Sequence, residues 1–323
     1  MTTNSELRVP DPVREPQPDR LPSRRGDRVF AGIARSAGIV IVLVLAGVAA
    51  FLIMTSLPAF NGKPNDVTGT KSFTAYVAPF LFGTLISSLL ALLIAVPLSI
   101  AVALYISHYA PRRLASGLGY VIDLLAAVPS VVFGLWGLFW LAQQLKPLYA
   151  WLAVHASFIP FFKGPASATG RTMFTVGVVL AVMILPIMTA ICREVFRQTP
   201  RLHEEAALAL GATRWEMIRM TVLPYSRSGI VSAAMLGLGR ALGETMAVAI
   251  VLSVGGGISF NLISSSNPAT IPASIALNFK ESSGTGINTL IATGLVLFVL
   301  TFIVNAAARA VLARRKDFSG ANG

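Results

Sequence analysis

The chain has 323 residues, 54% of them hydrophobic and 12% charged, with a net charge of +12. Ordinary soluble domains run at roughly 45–50% and 25%, so the polar surface is too small to coat a water-soluble globule, which argues against a soluble enzyme or a secreted domain. One cysteine (Cys192) and three dispersed histidines (His108, His155, His203) provide neither a disulfide framework nor a metal-ligand cluster.

Five prolines between Pro10 and Pro22 and seven arginines before Ser36 predict a disordered basic tail over residues 1–36. Six apolar stretches follow, at 37–57, 78–107, 117–144, 172–197, 227–254 and 287–312. Each can cross a hydrocarbon core of ~30 Å, which takes ~20 helical residues, so the expected fold class is an all-α integral membrane protein with six transmembrane helices. The first run, Ala37 to Leu57, exceeds the ~7–15-residue core of a cleaved signal peptide and is expected to stay as an anchor. It forms a segment 37–75 with its external loop; residues 76–313 form a core of five further helices, and 314–323 a second cytoplasmic tail.

Pro97, Pro129 and Pro186 fall inside spans two, three and four, where each removes a backbone donor and favours a kink. Membrane helices also simply tolerate proline better than soluble ones, and both readings stay open. Asp123 sits near one end of span three, where it can serve as a structural contact or in gating; Arg193, Glu194 and Arg197 at the end of span four read as a solvated interfacial cluster. The loops 146–170 and 255–286 are long enough to hold short helices such as Pro272–Phe279, either as a docking surface or as a cap over the bundle.

Between spans four and five, residues 199–224 read TPRLHEEAALALGATRWEMIRMTVLP. Thr199 can cap a first short helix with Pro200 at its opening position, and Gly211 supplies a stop. Thr213 and Glu216 match a capping box for a second helix, which Pro224 closes. Leu202, Ala206, Ala209 and Leu210 fall on one face, a ridge that could seat in another protein's groove or rest on lipid. In span five, small residues recur at Gly229, Ala233, Gly237 and Ala241, with Gly239 and Gly243 beside them, so that another helix can approach closely.

Between Ser228 and Val254 the ionised residues are Arg240 and Glu244. A charge near the bilayer centre costs several kcal/mol, so both should face protein or water, and at a spacing of four they share one helical face and can touch. They are either a salt bridge that locks the bundle or part of a pathway. Guanidinium presents fixed donors to an oxyanion, while a carboxylate only accepts hydrogen bonds and repels a fully deprotonated anion.

With the N-terminus inside, nineteen Lys and Arg fall on the inner side: seven in the tail, Arg112 and Arg113, six from Arg193 to Arg227, and four from Arg309 to Lys316. Lys63, Lys71, Lys146, Lys163, Arg171 and Lys280 fall outside. This bias predicts a multi-pass protein of the cytoplasmic membrane with both termini in the cytoplasm. The basic excess is therefore topological and, with no aromatic-interleaved patch, gives no nucleic-acid partner.

The stretch Glu205, Ala206, Ala207, Gly211, Leu223 and Pro224 resembles the EAA loop of ABC importer permeases, with Thr221 where an aliphatic residue is usual. Residues 223–248 resemble the phosphate-specific permease pair, and the layout with a long loop at 145–170 looks most like the PstC-type member. The resemblance implies a type I ABC importer permease fold and a loop that fits a cleft in a separate ATP-hydrolysing subunit through Glu205, Ala206, Ala207 and Gly211. It also implies that Arg240 and Glu244 act in phosphate passage. The chain has no GxxxxGK[ST] phosphate loop, so ATP and Mg are expected on a partner ATPase and no cofactor or metal on this chain. One coupling loop against two ATPase clefts implies a homologous, PstA-type second permease, two ATPase copies and an extracytoplasmic phosphate-binding protein, with membrane lipid around the bundle.

Competing expectations are transport of another oxyanion such as sulfate or molybdate, a membrane scaffold that recruits a cytoplasmic partner, and an intramembrane enzyme. The last fails on residues: His203 and Glu204 begin an HExxH pattern, but its second histidine position holds Ala207.

Overall fold

The computed structural model describes residues 25–60, 67–69, 71–255 and 257–313. Expectations for residues 1–24 and 314–323 lie outside that range. The chain divides into two units, residues 1–51 and 52–323. Of the first, the described part is helical from Arg25, so the stretch 25–36, expected as tail, belongs to α1 (Arg25–Phe60). Its apolar side chains, among them Ile39, Val42 and Leu45, stand exposed, as a lipid-facing helix requires.

The second unit is helical throughout its regular elements. α2 (Phe73–Leu104) continues through a π-helical turn, Tyr105–Tyr109. α3 (Arg112–Ala126) and α4 (Ser130–Trp136) follow, then a π turn at Gly137–Leu141 and α5 (Ala142–His155). Next come α6 (Met173–Arg197), α7 (Arg201–Ala209) and α8 (Arg214–Met217). A π turn at Ile218–Val222 leads into α9 (Leu223–Tyr225) and α10 (Arg227–Gly243). α11 (Met246–Val251), α12 (Ile271–Asn278) and α13 (Thr285–Ala313) complete the order.

Among the described residues four helices, Gly26–Phe60, Phe73–Tyr109, Met173–Arg197 and Thr285–Ala310, are long and apolar enough to cross a membrane; α3 with α4–α5 makes a fifth if a pair bent by 94° is one span. The expected third span is thus broken, and the break falls at Pro129, which precedes α4 and cannot donate to the turn before it. Pro97 and Pro186 lie inside continuous α2 and α6. The expected fifth span is also broken, between α10 and α11, at Glu244 and Thr245.

The core is α2 against α6. Lipid provides no hydrophobic drive between helices, so contact depends on close packing. α2 meets that need with buried small residues every fourth position: Gly83, Ser87, Ala91, Ala95, Ser99 and Ala103. The buried hydroxyls do not go unsatisfied, since Ser87 donates to the Thr84 carbonyl at 3.2 Å and Ser99 to the Val96 carbonyl at 3.0 Å. Leu180, Ile184 and Met188 of α6 fill the facing core. The small residues of α10 also pack against α6, where Gly237 faces the Met188 side chain and Ala233 and Ala241 are buried.

Two polar fastenings hold the remaining pieces. α12, close to the short helix expected from sequence, is buried at its first turn and tied to α2, the Ile271 N–H donating to Thr84 Oγ1 at 2.9 Å. Arg171 closes the C-terminal end of α11, its Nε donating to the Val251 carbonyl at 3.2 Å and its Nη2 to those of Ile250 and Leu252 at 3.2 and 3.3 Å. A cation on the last carbonyls of a helix satisfies orphan acceptors and opposes the dipole. Replacing Arg171 by alanine should cost about 2 kcal/mol of local stability, read as faster amide hydrogen exchange over residues 249–252 with α6 unaffected.

Candidate functional site

Two regions carry the residues singled out by sequence. The first is a cavity of about 650 Å³ between α6, α10 and α13. Arg240, half-buried, lines it together with Ser232 of α10 and with Asn305 and Arg309 of α13; Ile187 and Leu236 supply apolar wall. Among the described residues no carboxylate lies within ion-pair distance of Arg240 or Arg309. Two cations without a counter-charge, beside an amide and a hydroxyl, attract a solute with several acceptor oxygens and net negative charge.

Glu244 does not join this cavity. The helical register that would place it over Arg240 ends at Gly243, and Glu244 is extended (φ −69°, ψ 124°). Its buried carboxylate accepts the Ala247 N–H at 3.0 Å through Oε1, and Thr245 Oγ1 donates to the Gly243 carbonyl at 3.2 Å. Neighbouring side chains thus take over backbone groups that a straight helix would satisfy itself. The contact expected from four-residue spacing is replaced by a capped break, with no ion pair between Arg240 and Glu244 among the described residues.

The second region is α7 and the turn after it. Ala207 is buried in a cluster with Cys192, Phe196, Met217 and Ile218, whereas Glu205 and Ala206 are exposed. Leu202 and Leu210 project almost fully, 75% and 90% exposed, so the apolar ridge seen in the sequence stands unpacked. Gly211 ends the helix at φ +85°, a conformation that L side chains rarely adopt. Its N–H donates to the Leu208 carbonyl at 3.0 Å and that of Ala212 to the Ala207 carbonyl at 3.2 Å, the paired bonds of a Schellman stop.

The capping box is complete: the Thr213 N–H and hydroxyl both donate to Glu216 Oε2 at 2.8 Å, and the Glu216 N–H donates to Thr213 Oγ1 at 3.3 Å. Two expectations for this loop are corrected. Thr199 does not cap α7, which starts at Arg201 after Pro200, and its buried hydroxyl has no partner among the described residues. Pro224 does not close the second helix, because the π turn at Ile218–Val222 carries the chain into α9, where proline occupies the first turn and needs no donor. Thr221 sits in that π turn and donates to the Met217 carbonyl at 2.7 Å, which accounts for a hydroxyl where an aliphatic side chain is usual.

The hydrogen bonds from Thr213 hold the Glu216 carboxyl below its ordinary value of 4.5. A depressed carboxyl stabilises the fold above its unfolded pKa and loses that contribution as pH falls through the folded value. Acidification below the ordinary glutamate range should therefore open the start of α8, seen as loss of amide protection at Glu216, and Glu216→Gln should remove the pH dependence.

Near α7, Arg193 Nη2 reaches Asp123 Oδ2 at 3.4 Å, which gives Asp123 the structural contact that was one of its two expected roles. Arg193 itself is mostly buried rather than solvated. Sequence reasoning passed over Asn305 and Arg309, because Arg309 reads as one more cation at a helix end.

Residues 95–317 match the family described as binding-protein-dependent transport system inner membrane component. The chain is 48% identical over 326 residues to the phosphate transport system permease protein PstC 2 of Mycobacterium tuberculosis, covering 94% of this chain and 98% of that one. It is 45% identical over 309 residues to the phosphate transport system permease protein PstC of Mycobacterium leprae, covering 90% and 94%. Its fold is similar to a chain in the crystal structure of a bacterial alginate ABC transporter in complex with an alginate pentasaccharide-bound periplasmic protein (TM-score 0.55, 16% identity, 91% of this chain and 99% of that one). The chain belongs to the family of inner-membrane components of binding-protein-dependent transport systems.

Proposed function

We propose that this chain is a permease subunit of an ATP-driven importer of inorganic phosphate. It is a multi-pass inner-membrane transport subunit rather than an enzyme. The observation that carries the phosphate reading is the pair of guanidiniums, Arg240 and Arg309, without an ion-pair partner among the described residues and lining one cavity with Asn305 and Ser232. The names of the relatives support the same cargo. Open, multi-donor contact suits passage, since a site that held phosphate tightly would release it slowly. Glu244, which lies outside this cavity with its carboxylate engaged by the Ala247 N–H, is assigned no contact with the anion.

The proposed orientation places both termini and α7 in the cytoplasm. There Glu205, Ala206, Ala207 and Gly211 form the seat for a separate ATPase that binds ATP and Mg, and the exposed Leu202 and Leu210 are the side chains that enter its cleft. Two ATPase copies call for a second, PstA-type permease, and high-affinity capture belongs to an extracytoplasmic phosphate-binding protein. In vesicles reconstituted with the co-purifying subunits, phosphate should enter only with ATP. Preferential entry of sulfate or molybdate would reassign the cargo, and absence of nucleotide-dependent flux would leave a scaffold.

A further inference from the structure

A second cleft, of about 710 Å³, lies at the α7 end of the bundle between the end of α2, α3, the end of α6 and the start of α7. It shares no lining residue with the Arg240 cavity. Four arginines line it: Arg112, Arg193, Arg197 and Arg201. Its carboxylates are already engaged, Asp123 by Arg193 at 3.4 Å and Glu204 facing His108 Nε2 at 3.5 Å. Arg112, Arg197 and Arg201 have no ion-pair partner among the described residues.

Two buried groups give a second, independent indication. Thr199 lines the cleft, is only 4% exposed, and its hydroxyl oxygen has no hydrogen-bond partner among the described residues. The buried Nε of Arg193 is likewise without one. Buried polar groups are nearly always paired, so a donor nitrogen and a hydroxyl left over at the wall of a cationic cleft point to a missing acceptor. Tetrahedral oxyanions of the phosphate class present several acceptor oxygens and negative charge together.

We infer that this cleft is an oxyanion site, distinct from the transport pathway, that takes a phosphate group either free or on a lipid headgroup. Arg197 and Arg201 provide charge at its rim, and Arg193 Nε and the Thr199 hydroxyl donate from within. Arg201 and Glu204 belong to α7, so an occupant ties the exposed loop to α3 and α6. On the orientation proposed above the cleft faces the cytoplasm, where occupancy by free phosphate would report the cargo already delivered.

The site can be read without transport. In a Cys192→Ala background, Ser116→Cys puts a thiol on the exposed lining of the cleft. The full chain, with whatever subunits accompany it, is placed in nanodiscs and the rate of alkylation is measured. Inorganic phosphate in phosphatidylcholine discs should slow labelling, about tenfold at ten times its dissociation constant, relative to chloride at equal ionic strength. Slowing in phosphatidylglycerol discs without added phosphate would identify the lipid headgroup as the occupant. Arg197→Gln with Arg201→Gln should abolish the effect; Arg240→Gln should leave it intact, which separates this site from the transport reading. Equal labelling under all conditions, or protection that survives loss of both rim arginines, overturns the inference.

Discussion

Replacing Arg240 by glutamine should lower ATP-dependent phosphate uptake between about tenfold and a hundredfold, with the chain still inserted and assembled. A hydrogen bond to a charged group contributes about 1.5–3 kcal/mol, and each 1.4 kcal/mol is a factor of about ten. Arg240 lines the cavity with no ion-pair partner among the described residues, so its loss removes attraction for the anion without leaving a described carboxylate unpaired. Arg240→Lys keeps the charge but not the planar fork and should fall between wild type and glutamine. Arg309→Gln should reduce uptake in the same direction and, combined with Arg240→Gln, by less than the product, because both face one void. Radiolabelled phosphate uptake in reconstituted vesicles checks all four, and normal uptake in the double variant would remove the cavity from the pathway.

Gly211→Val should uncouple the chain while leaving it in the membrane. At φ +85° a Cβ is disfavoured by about 1–2 kcal/mol, and a β-branched side chain adds to that. The paired bonds from Gly211 and Ala212 to the end of α7 would open, and with them the placement of the Leu202–Leu210 ridge. Phosphate-stimulated ATP hydrolysis should drop severalfold, whereas Gly211→Asn, which tolerates the left-handed region, should retain most of it. The space around Gly211 is open, so steric overlap does not confound the comparison.

The sequence made some of this architecture legible and hid the rest for identifiable reasons. Hydropathy located α6 and α13 to within two residues at each end, because a long apolar run dominates local signals, Pro186 inside α6 included. Pro129 was visible, but a proline is compatible with either a kink or a full break, and only its surroundings select the 94° bend. Gly243 can stop a helix, but glycine recurs along α10 at Gly229, Gly237 and Gly239 without stopping it; the break rests on side chains capping nearby backbone, an alternative that propensity does not register. The small residues of α10 stood out by their regular spacing, while the longer buried series in α2 lay within a stretch read for its hydropathy and for Pro97. In the α7 loop, Gly211 and the Thr213–Glu216 box follow from local chemistry, whereas the π turn that carries helix past Pro224 is a tertiary outcome. Arg240 was legible because a charge in an apolar span is conspicuous; Arg309 acquires meaning only when α13 folds against α10.

The hydroxyl of Thr84 donates to the Phe80 carbonyl of its own helix at 2.7 Å while accepting the first N–H of α12. One atom thus works as a rivet, fixing a short surface helix to the long helix at the centre of the bundle. A push on the segment around α12 is delivered to α2 through that fastening and the buried first turn, without first being spent in slack chain. Thr84→Val would keep the shape and remove the acceptor, turning a stiff linkage into a loose one.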